Sequence, residues 1–246
     1  DGGSNDDSRQ IIERYAGQLA HWESAEDNGQ ADAINRGFAR TQGEIMGWLN
    51  SDDVYVEGAL LLVGRIFAAL PEVDWISGRA LTMTPAGNLN DVGLPNAYFR
   101  RLIAGGWNHG RGLGFVMQEA TFWRRSLWDQ AGGEITNLYY GLDYDLWKRF
   151  ARYADLVPVQ APLAAFRHNS AAKSRAIESY YREIGVSLPA WAAFPVRLTR
   201  LALQIPIRLA LTRQIRYEHE TDRWVYHPGL TRRWLRHERP VALPGR

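Results

Sequence analysis

Two adjacent aspartates, Asp52 and Asp53, follow the apolar run "EIMGWLN" almost directly, and a third acid, Asp143, stands at the head of "DYDLWKRF". Neighbouring carboxylates repel each other and cost stability unless a cation or a hydrogen-bond network offsets their charge. A hard divalent ion suits such a pair, because Mg2+ and Mn2+ take oxygen ligands and are held by one or two carboxylates together with substrate phosphates. The same spacing also fits a solvated turn in which an Asp caps the helix predicted over "VYVEGALLL". Asp143 has two uses of the same kind: a general base for a nearby hydroxyl, or an N-cap on a helix whose Leu146 and Phe150 face the core.

The elements that must position these acids are legible as periodicity. In "SRQIIERYAGQL", Ile11, Ile12, Tyr15 and Leu19 recur at helical intervals, with Asp7 or Ser8 available as N-cap. "GQADAINRGFARTQG" repeats the signal through Ile34 and Phe38 and stops near Gly43. "EIMGWLN" has the short apolar character of a strand buried on both faces. The helix "EGALLLVGRIFAALP" is closed by Pro71, and "DWISGRALTMTPAGNL" is a strand entering a turn. Strands interleaved with helices predict an α/β domain with a mainly parallel central sheet. In such sheets ligands lie beyond the carboxyl ends of the strands, where Asp52 and Asp53 fall. The opening "DGGSNDDS" is a turn of the kind that follows a regular element, so an element is expected before Asp1.

Composition narrows the class. The chain has 246 residues, of which 46% are hydrophobic and 23% charged, as in globular domains. It has no cysteine, which excludes disulfides and thiolate metal sites. No uninterrupted apolar run is long enough to span a bilayer. The net charge of +2 is unevenly spread: from Val196 onward there are 11 Arg and 4 acids, leaving −5 for residues 1–195. No nucleic-acid partner is expected.

Four blocks, "DGGSNDDSRQII", "EDNGQADAINRGFARTQGEIMGWLNSDD", "MQEATFWRRSLWDQAGG" and "GLDYDLWKRF", stand in the order and at the separations of the family 2 glycosyltransferases, which the chain resembles from Asp1 to about Ser174. The resemblance implies a GT-A nucleotide-sugar-binding domain over residues 1–175, lacking its first strand and helix, and leaves 176–246 as a helical, basic extension. It implies that Asp1 contacts the nucleotide, that Gln30, Asp32 and Asn35 line the donor cleft, and that Ser51, Asp52 and Asp53 form a degenerate DXD motif. In that motif Asp53 holds Mn2+ or Mg2+ and Asp52 lies nearer the ribose or donor sugar. Asp143 becomes the catalytic base, with Asp145 in reserve, and Gln118 and Glu119 fall on the acceptor side. His168, in "FRHNSAAKS", falls at the position of a metal or diphosphate ligand. Leu142 stands where the family carries a Glu, and Arg79 where it carries an acid.

The implied activity is inverting transfer of a sugar from a nucleoside-diphosphate donor to a hydroxyl of a saccharide or lipid-linked acceptor, in polysaccharide or glycolipid synthesis. A binding module of the same fold without turnover, or a nucleotidyltransferase, are the alternatives. In the basic tail, Arg197, Arg200 and Arg208 form a polar stripe beside an apolar one of Leu198, Leu201, Ile205 and Leu209, interrupted by Pro206. With Trp191, Trp224 and Trp234 as anchors, that helix predicts either packing on the domain or peripheral attachment of a cytoplasmic protein to the inner, anionic face of a membrane.

Overall fold

The computed structural model describes residues 1–93, 97–169, 173–186, 198, 213–219, 221–229 and 239–241. In chain order the elements are α1 (Ser8–Tyr15), α2 (Gln30–Ala39), β1 (Ile45–Met46), β2 (Val54–Tyr55), α3 (Ala59–Ala69), β3 (Trp75–Arg79), β4 (Leu81–Met83) and β5 (Leu89–Val92). There follow α4 (Arg100–Ala104), β6 (Thr121–Arg124), α5 (Arg125–Gln130), α6 (Leu142–Phe150), β7 (Leu156–Pro162), β8 (Ala164–Arg167), α7 (Ile177–Glu183), β9 (Gln214–Glu218), β10 (Arg223–His227) and β11 (Arg239–Val241).

The strands form two sheets. The larger has the order β1-β6-β3-β7-β9-β10-β11 and the smaller β2-β8-β4-β5. At the centre of the larger sheet β3, β7 and β9 run parallel, while the pairings β3–β6 and β6–β1 on one flank and β9–β10 and β10–β11 on the other are antiparallel. In the smaller sheet β4 and β8 are parallel. Gly78 lies where β3 turns from one sheet toward the other, and a Cβ there would come within 2.8 Å of the Leu163 side chain.

Side-chain alternation along the central strands divides the core into two layers. Trp75, Trp123 and Leu156 face one side and pack with Leu146, Trp147 and Phe150 of α6. Ile76, Phe122 and Val157 face the other and pack with Val63, Ile66 and Phe67 of α3. The first layer is built of indoles: Trp48 and Trp147 stack at 6.1 Å with an interplanar angle of 12°, and Trp123 meets Trp147 edge-on at 5.6 Å. Such rings bury large apolar areas and favour offset or edge geometry, so they fix α6 against the sheet. Leu142 joins this layer, which explains an apolar residue at the position before Asp143.

Several sequence-based expectations are refined. Asp7 makes no side-chain cap on α1; Asp6 does the equivalent, its Oδ1 accepting from the Ser8 amide at 2.9 Å. The run predicted as a full strand is regular only at Ile45–Met46, at the edge of the sheet, because Gly47 crosses close over Phe122: a Cβ there would lie 3.0 Å from the ring. Arg79 closes β3 by donating from Nε and Nη2 to the Gly93 carbonyl, at 3.0 and 2.6 Å.

The helical description of 176–246 is corrected. Beyond α7 the described residues form β9, β10 and β11, which continue the main sheet beside β7, so strands on both sides of residue 175 share one sheet. "QIRYE" alternates with period two and "RWVYH" is a run of β-branched and aromatic residues, strand signals masked by the basic character of the region. Their connection passes through Asp222 at φ 52°, a left-handed conformation that Asp tolerates. Trp224 is half-buried in this sheet, edge-on to Tyr217, and packs on the core. The stripes from Arg197 to Leu209 lie outside the described residues except for Leu198, which is exposed, as do Trp191 and Trp234. No helix among the described residues is long and apolar enough to cross a membrane.

Candidate active site

The loop between β1 and β2 carries Asn50, Asp52 and Asp53 across the gap between the two sheets. Asn50 is the hub. Its Oδ1 accepts from Gln30 Nε2 at 3.0 Å, and its Nδ2 donates to Gln118 Oε1 at 3.0 Å and, longer, to Asp53 Oδ2 at 3.4 Å. Gln118 Nε2 in turn donates to the Trp48 carbonyl at 2.6 Å, so both ends of that amide are engaged within the protein. Gln30 Oε1 accepts from Lys173 Nζ at 3.1 Å.

Asp53 is 5% exposed, and its Oδ1 accepts from the Arg167 amide at the end of β8, at 2.9 Å. Arg167 Nε donates to the Asp52 carbonyl at 2.8 Å, tying the two sheets together at this point. Burial raises the Asp53 carboxyl above its ordinary value, against the Arg167 amide bond and with added repulsion from Asp52. His168 follows Arg167 directly; it is exposed, its amide donates to the Met83 carbonyl at 2.9 Å, and its ring meets Phe166 edge-on at 5.5 Å.

Glu119 and Asp143 form the other side. Glu119 is 4% exposed, and its Oε1 is buried with no hydrogen-bond partner among the described residues. Burial pushes its carboxyl up to about 8, with the charges of Asp53 and Asp143 adding to the effect. Asp143, in the first turn of α6, accepts from the Tyr144 amide at 2.7 Å, and burial pushes it up to about 6. Burial raises both carboxyls, Glu119 further than Asp143, so of the two Glu119 holds its proton to the higher pH. Asp145 is committed elsewhere, accepting from Thr136 Oγ1 at 2.7 Å and Arg149 Nε at 2.9 Å.

The expected nucleotide end is more open. The Asp1 carboxylate accepts from Ser4 Oγ and Ser24 Oγ at 2.5 and 2.6 Å and borders a cavity of about 200 Å³ lined also by Trp22, Asp27, Arg36 and Arg40. Asp32 accepts from the Asn28 amide at 2.9 Å and from Arg36 Nη2 at 2.7 Å on the same rim. Asn35 is turned away from it: its amide donates to the Ile135 carbonyl at 2.9 Å and accepts from the Ile135 amide at 2.7 Å, a two-point clamp between α2 and the loop before α6.

Among the described residues no three His, Asp or Glu side chains converge as a ready metal cage. The residues still fit a divalent cation that takes most of its ligands from phosphate. Asp53 is buried beside a like charge, and the Asp52 carboxylate carries no hydrogen bond among the described residues. Asn50, Arg167, Tyr180 and Lys173 escaped the sequence reading. Asn50 had a signal, an amide at a strand end before two acids; Tyr180, whose hydroxyl burial and the nearby Asp143 charge both raise, had none.

The Glycosyl transferase family 2 profile matches residues 1–73. No curated protein sequence is significantly similar to the chain. Among solved structures, Staphylococcus aureus TarS residues 1–349 in complex with UDP-GlcNAc superposes with a TM-score of 0.55 at 13% identity, over 82% of this chain and 61% of TarS. Mannosyltransferase PcManGT from Pyrobaculum calidifontis, in complex with GDP-Man and Mn2+, gives 0.51 at 15% identity, over 83% and 59%. The chain thus spans less than two thirds of either structure. Residues 1–73 thus match the Glycosyl transferase family 2 profile, and the fold that continues beyond them is similar to the GT-A fold of both solved glycosyltransferases.

Proposed function

We propose that the protein transfers a sugar from a nucleoside-diphosphate donor to a hydroxyl acceptor with inversion. The observation that supports this reading is that the buried Glu119 carboxyl lies close enough to both Asp53 and Asp143 to be raised by their charges, as expected if the three acids border one reaction space. The neighbours' titles, with UDP-GlcNAc in one and GDP-Man in the other, support the donor class.

In this reading the nucleotide lies along the rim of Asp1 and Asp32, and Asp52 and the Asn50 hub meet the diphosphate and donor sugar. Asp53 and Asp52, completed by phosphate oxygens of the donor, would hold Mn2+ or Mg2+, whose charge would neutralise the departing diphosphate. Asp143 takes the proton from the acceptor hydroxyl as its oxygen bonds to the anomeric carbon and the bond from that carbon to the phosphate oxygen breaks. A general base in this role contributes roughly 10²–10⁴-fold. Glu119, neutral and unpartnered, donates a hydrogen bond to the acceptor oxygen and orients it toward Asp143. Electrostatic preorganisation of this kind is usually the largest catalytic contribution.

The test is incubation of the full chain with UDP-GlcNAc or GDP-mannose, with and without Mn2+ and EDTA. Release of nucleoside diphosphate that EDTA abolishes is expected. Pyrophosphate release would replace the reading with nucleotidyl transfer, and tight donor binding without any product would replace it with a binding module.

A further inference from the structure

The base sits two residues beyond a group of backbone amides that the sequence gives no reason to single out. The amides of Tyr139, Tyr140 and Gly141 all donate to the carboxylate of Glu183, at 2.8, 2.7 and 2.8 Å, although Glu183 closes α7 more than forty residues away. Three amides on one carboxylate form a charge-assisted cluster, about twice as strong per bond as neutral pairs. They stand at the N-terminus of α6, where unsatisfied N–H groups give a helix its positive pole.

The packing around this contact is made for close approach. Gly141 is the residue before Leu142, and a Cβ there would lie 2.5 Å from Ile184 Cγ2. Lys173 adds a second tether, with Nζ donating to the Tyr139 carbonyl at 3.3 Å and resting 4.1 Å from the Tyr139 ring centre, while also reaching Gln30. Burial acts to raise the Glu183 carboxyl, but the three amides and the Lys173 charge outweigh it and hold it below its ordinary value, so it is an anion throughout the neutral range.

We propose that Glu183 is a positioning residue for Asp143: its carboxylate fixes the segment that opens α6 and neutralises the positive pole there, holding the base in place and keeping it basic. This rests on the reading of Asp143 as the base. Unopposed, the helix pole would favour the ionised carboxylate and make Asp143 a weaker proton acceptor. The other groups facing Asp143 are the Tyr144 amide on its own helix, the protonated Glu119 next to β6 and Tyr180 on α7; Asp53 reaches it through Glu119. Asp145 is paired with Arg149, and Lys148 and His109 both flank the Tyr144 ring, Lys148 at 5.2 Å and His109 at 6.4 Å.

The experiment compares the full chain with Glu183→Gln, Gly141→Ala and, as a control on the same helix, Glu178→Gln, whose partner is Arg111 instead of these amides. Amide hydrogen exchange over residues 136–147 is read in every protein, whether or not a donor is turned over. Faster exchange by about tenfold confined to Tyr139–Asp145 is expected in Glu183→Gln and Gly141→Ala, with Glu178→Gln like the parent. In hydrolysis of UDP-GlcNAc or GDP-mannose, kcat should fall about tenfold in Glu183→Gln with donor KM within twofold. The acid limb of the kcat profile should move down by about half a unit, the size expected for loss of a charge at a helix end. Unchanged exchange at 139–145, or an unshifted acid limb with unchanged kcat, overturns the proposal. If Asp143→Asn turns over donor as fast as the parent, the base reading falls and the positioning role falls with it.

Discussion

Aspartates and glutamates occur in two settings in this molecule, and the contrast separates recognition from chemistry. On the rim formed by residues 1–40, Asp6 is exposed and Asp32 half-buried, and both are satisfied by neighbours a few residues away, chiefly the Ser8 hydroxyl for the first and the Asn28 amide for the second, so their carboxyls lie below the ordinary value. None of the residues of α1 is buried, and Ile11 and Tyr15 remain 49% and 54% exposed. Between the two sheets, Asp53, Glu119 and Asp143 are shifted the opposite way, each principally by burial. Rim acids stay charged at any pH the protein meets and suit contacts to a polar ligand. Buried acids titrate where a proton can be exchanged.

The sharpest way to break this contrast is at the base. Asp143→Asn should lower kcat by roughly 10²–10⁴-fold with donor KM nearly unchanged, since the side chain acts on the acceptor proton. Steady-state hydrolysis and transfer assays read it. An equal loss in Asp145→Asn with Asp143→Asn normal would transfer the role to Asp145, against its engagement with Thr136 and Arg149. In the parent, kcat should rise with pH through about 6, because Asp143 must be ionised to accept a proton.

Next in size is Asp53→Asn, expected to cost about 10²-fold or more in turnover if the acid helps neutralise the leaving diphosphate. The loss should be accompanied by loss of Mn2+ dependence, followed by titrating the metal into the assay. Metal-dependent turnover at the parent level would return Asp53 to a structural role in holding β8.

Glu119 tests the contrast through stability. Its folded carboxyl, at about 8, lies above the unfolded value of about 4.5, so between these limits the native state binds more protons than the unfolded state. Stability contributed by the neutral form is present at low pH and lost as pH rises from about 4.5 to about 8. Glu119→Gln removes this dependence: its Tm should fall less than the parent's between pH 5 and 8, by roughly 2–4 °C for each kcal/mol of the lost linkage in a chain of this size. Equal slopes in calorimetry would mean that Glu119 is ionised in the fold.

The smallest effect is expected on the rim. Asp32→Asn should change the Tm little, since its partners are local, while raising donor KM several-fold and leaving the pH profile in place. A shifted acid limb in this variant would erase the distinction between the two sets of acids.

Much of the frame was readable before any coordinates. α1, α2 and α3 announce themselves through period, and α6 through Leu146 and Phe150, because helices of eight or more residues accumulate a strong signal. β1 was overextended because a run of apolar residues does not reveal that Gly47 must cross over an aromatic ring. β9 and β10 were missed because arginines drew attention from their strand signals. At the site, the acids were found from the resemblance, but their partners were not. Asn35 bonds a backbone one hundred residues away, and Glu183 bonds three amides that leave no trace in side-chain identity. Backbone acceptors and donors are the same at every position, so long-range contacts to them are silent in sequence.

The stacked indoles give this architecture an optical consequence. Trp48 belongs to the strand-end loop whose carbonyl holds Gln118, while Trp147 rides on the helix that carries Asp143. Two indoles in near-parallel contact couple their electronic transitions, and the sign and size of the resulting circular-dichroism couplet depend on their mutual angle. Any displacement of the helix that carries Asp143 relative to the loop that carries Trp48 must therefore alter that couplet. The unlabelled protein thus has a spectroscopic ruler laid between α6 and the loop before β2.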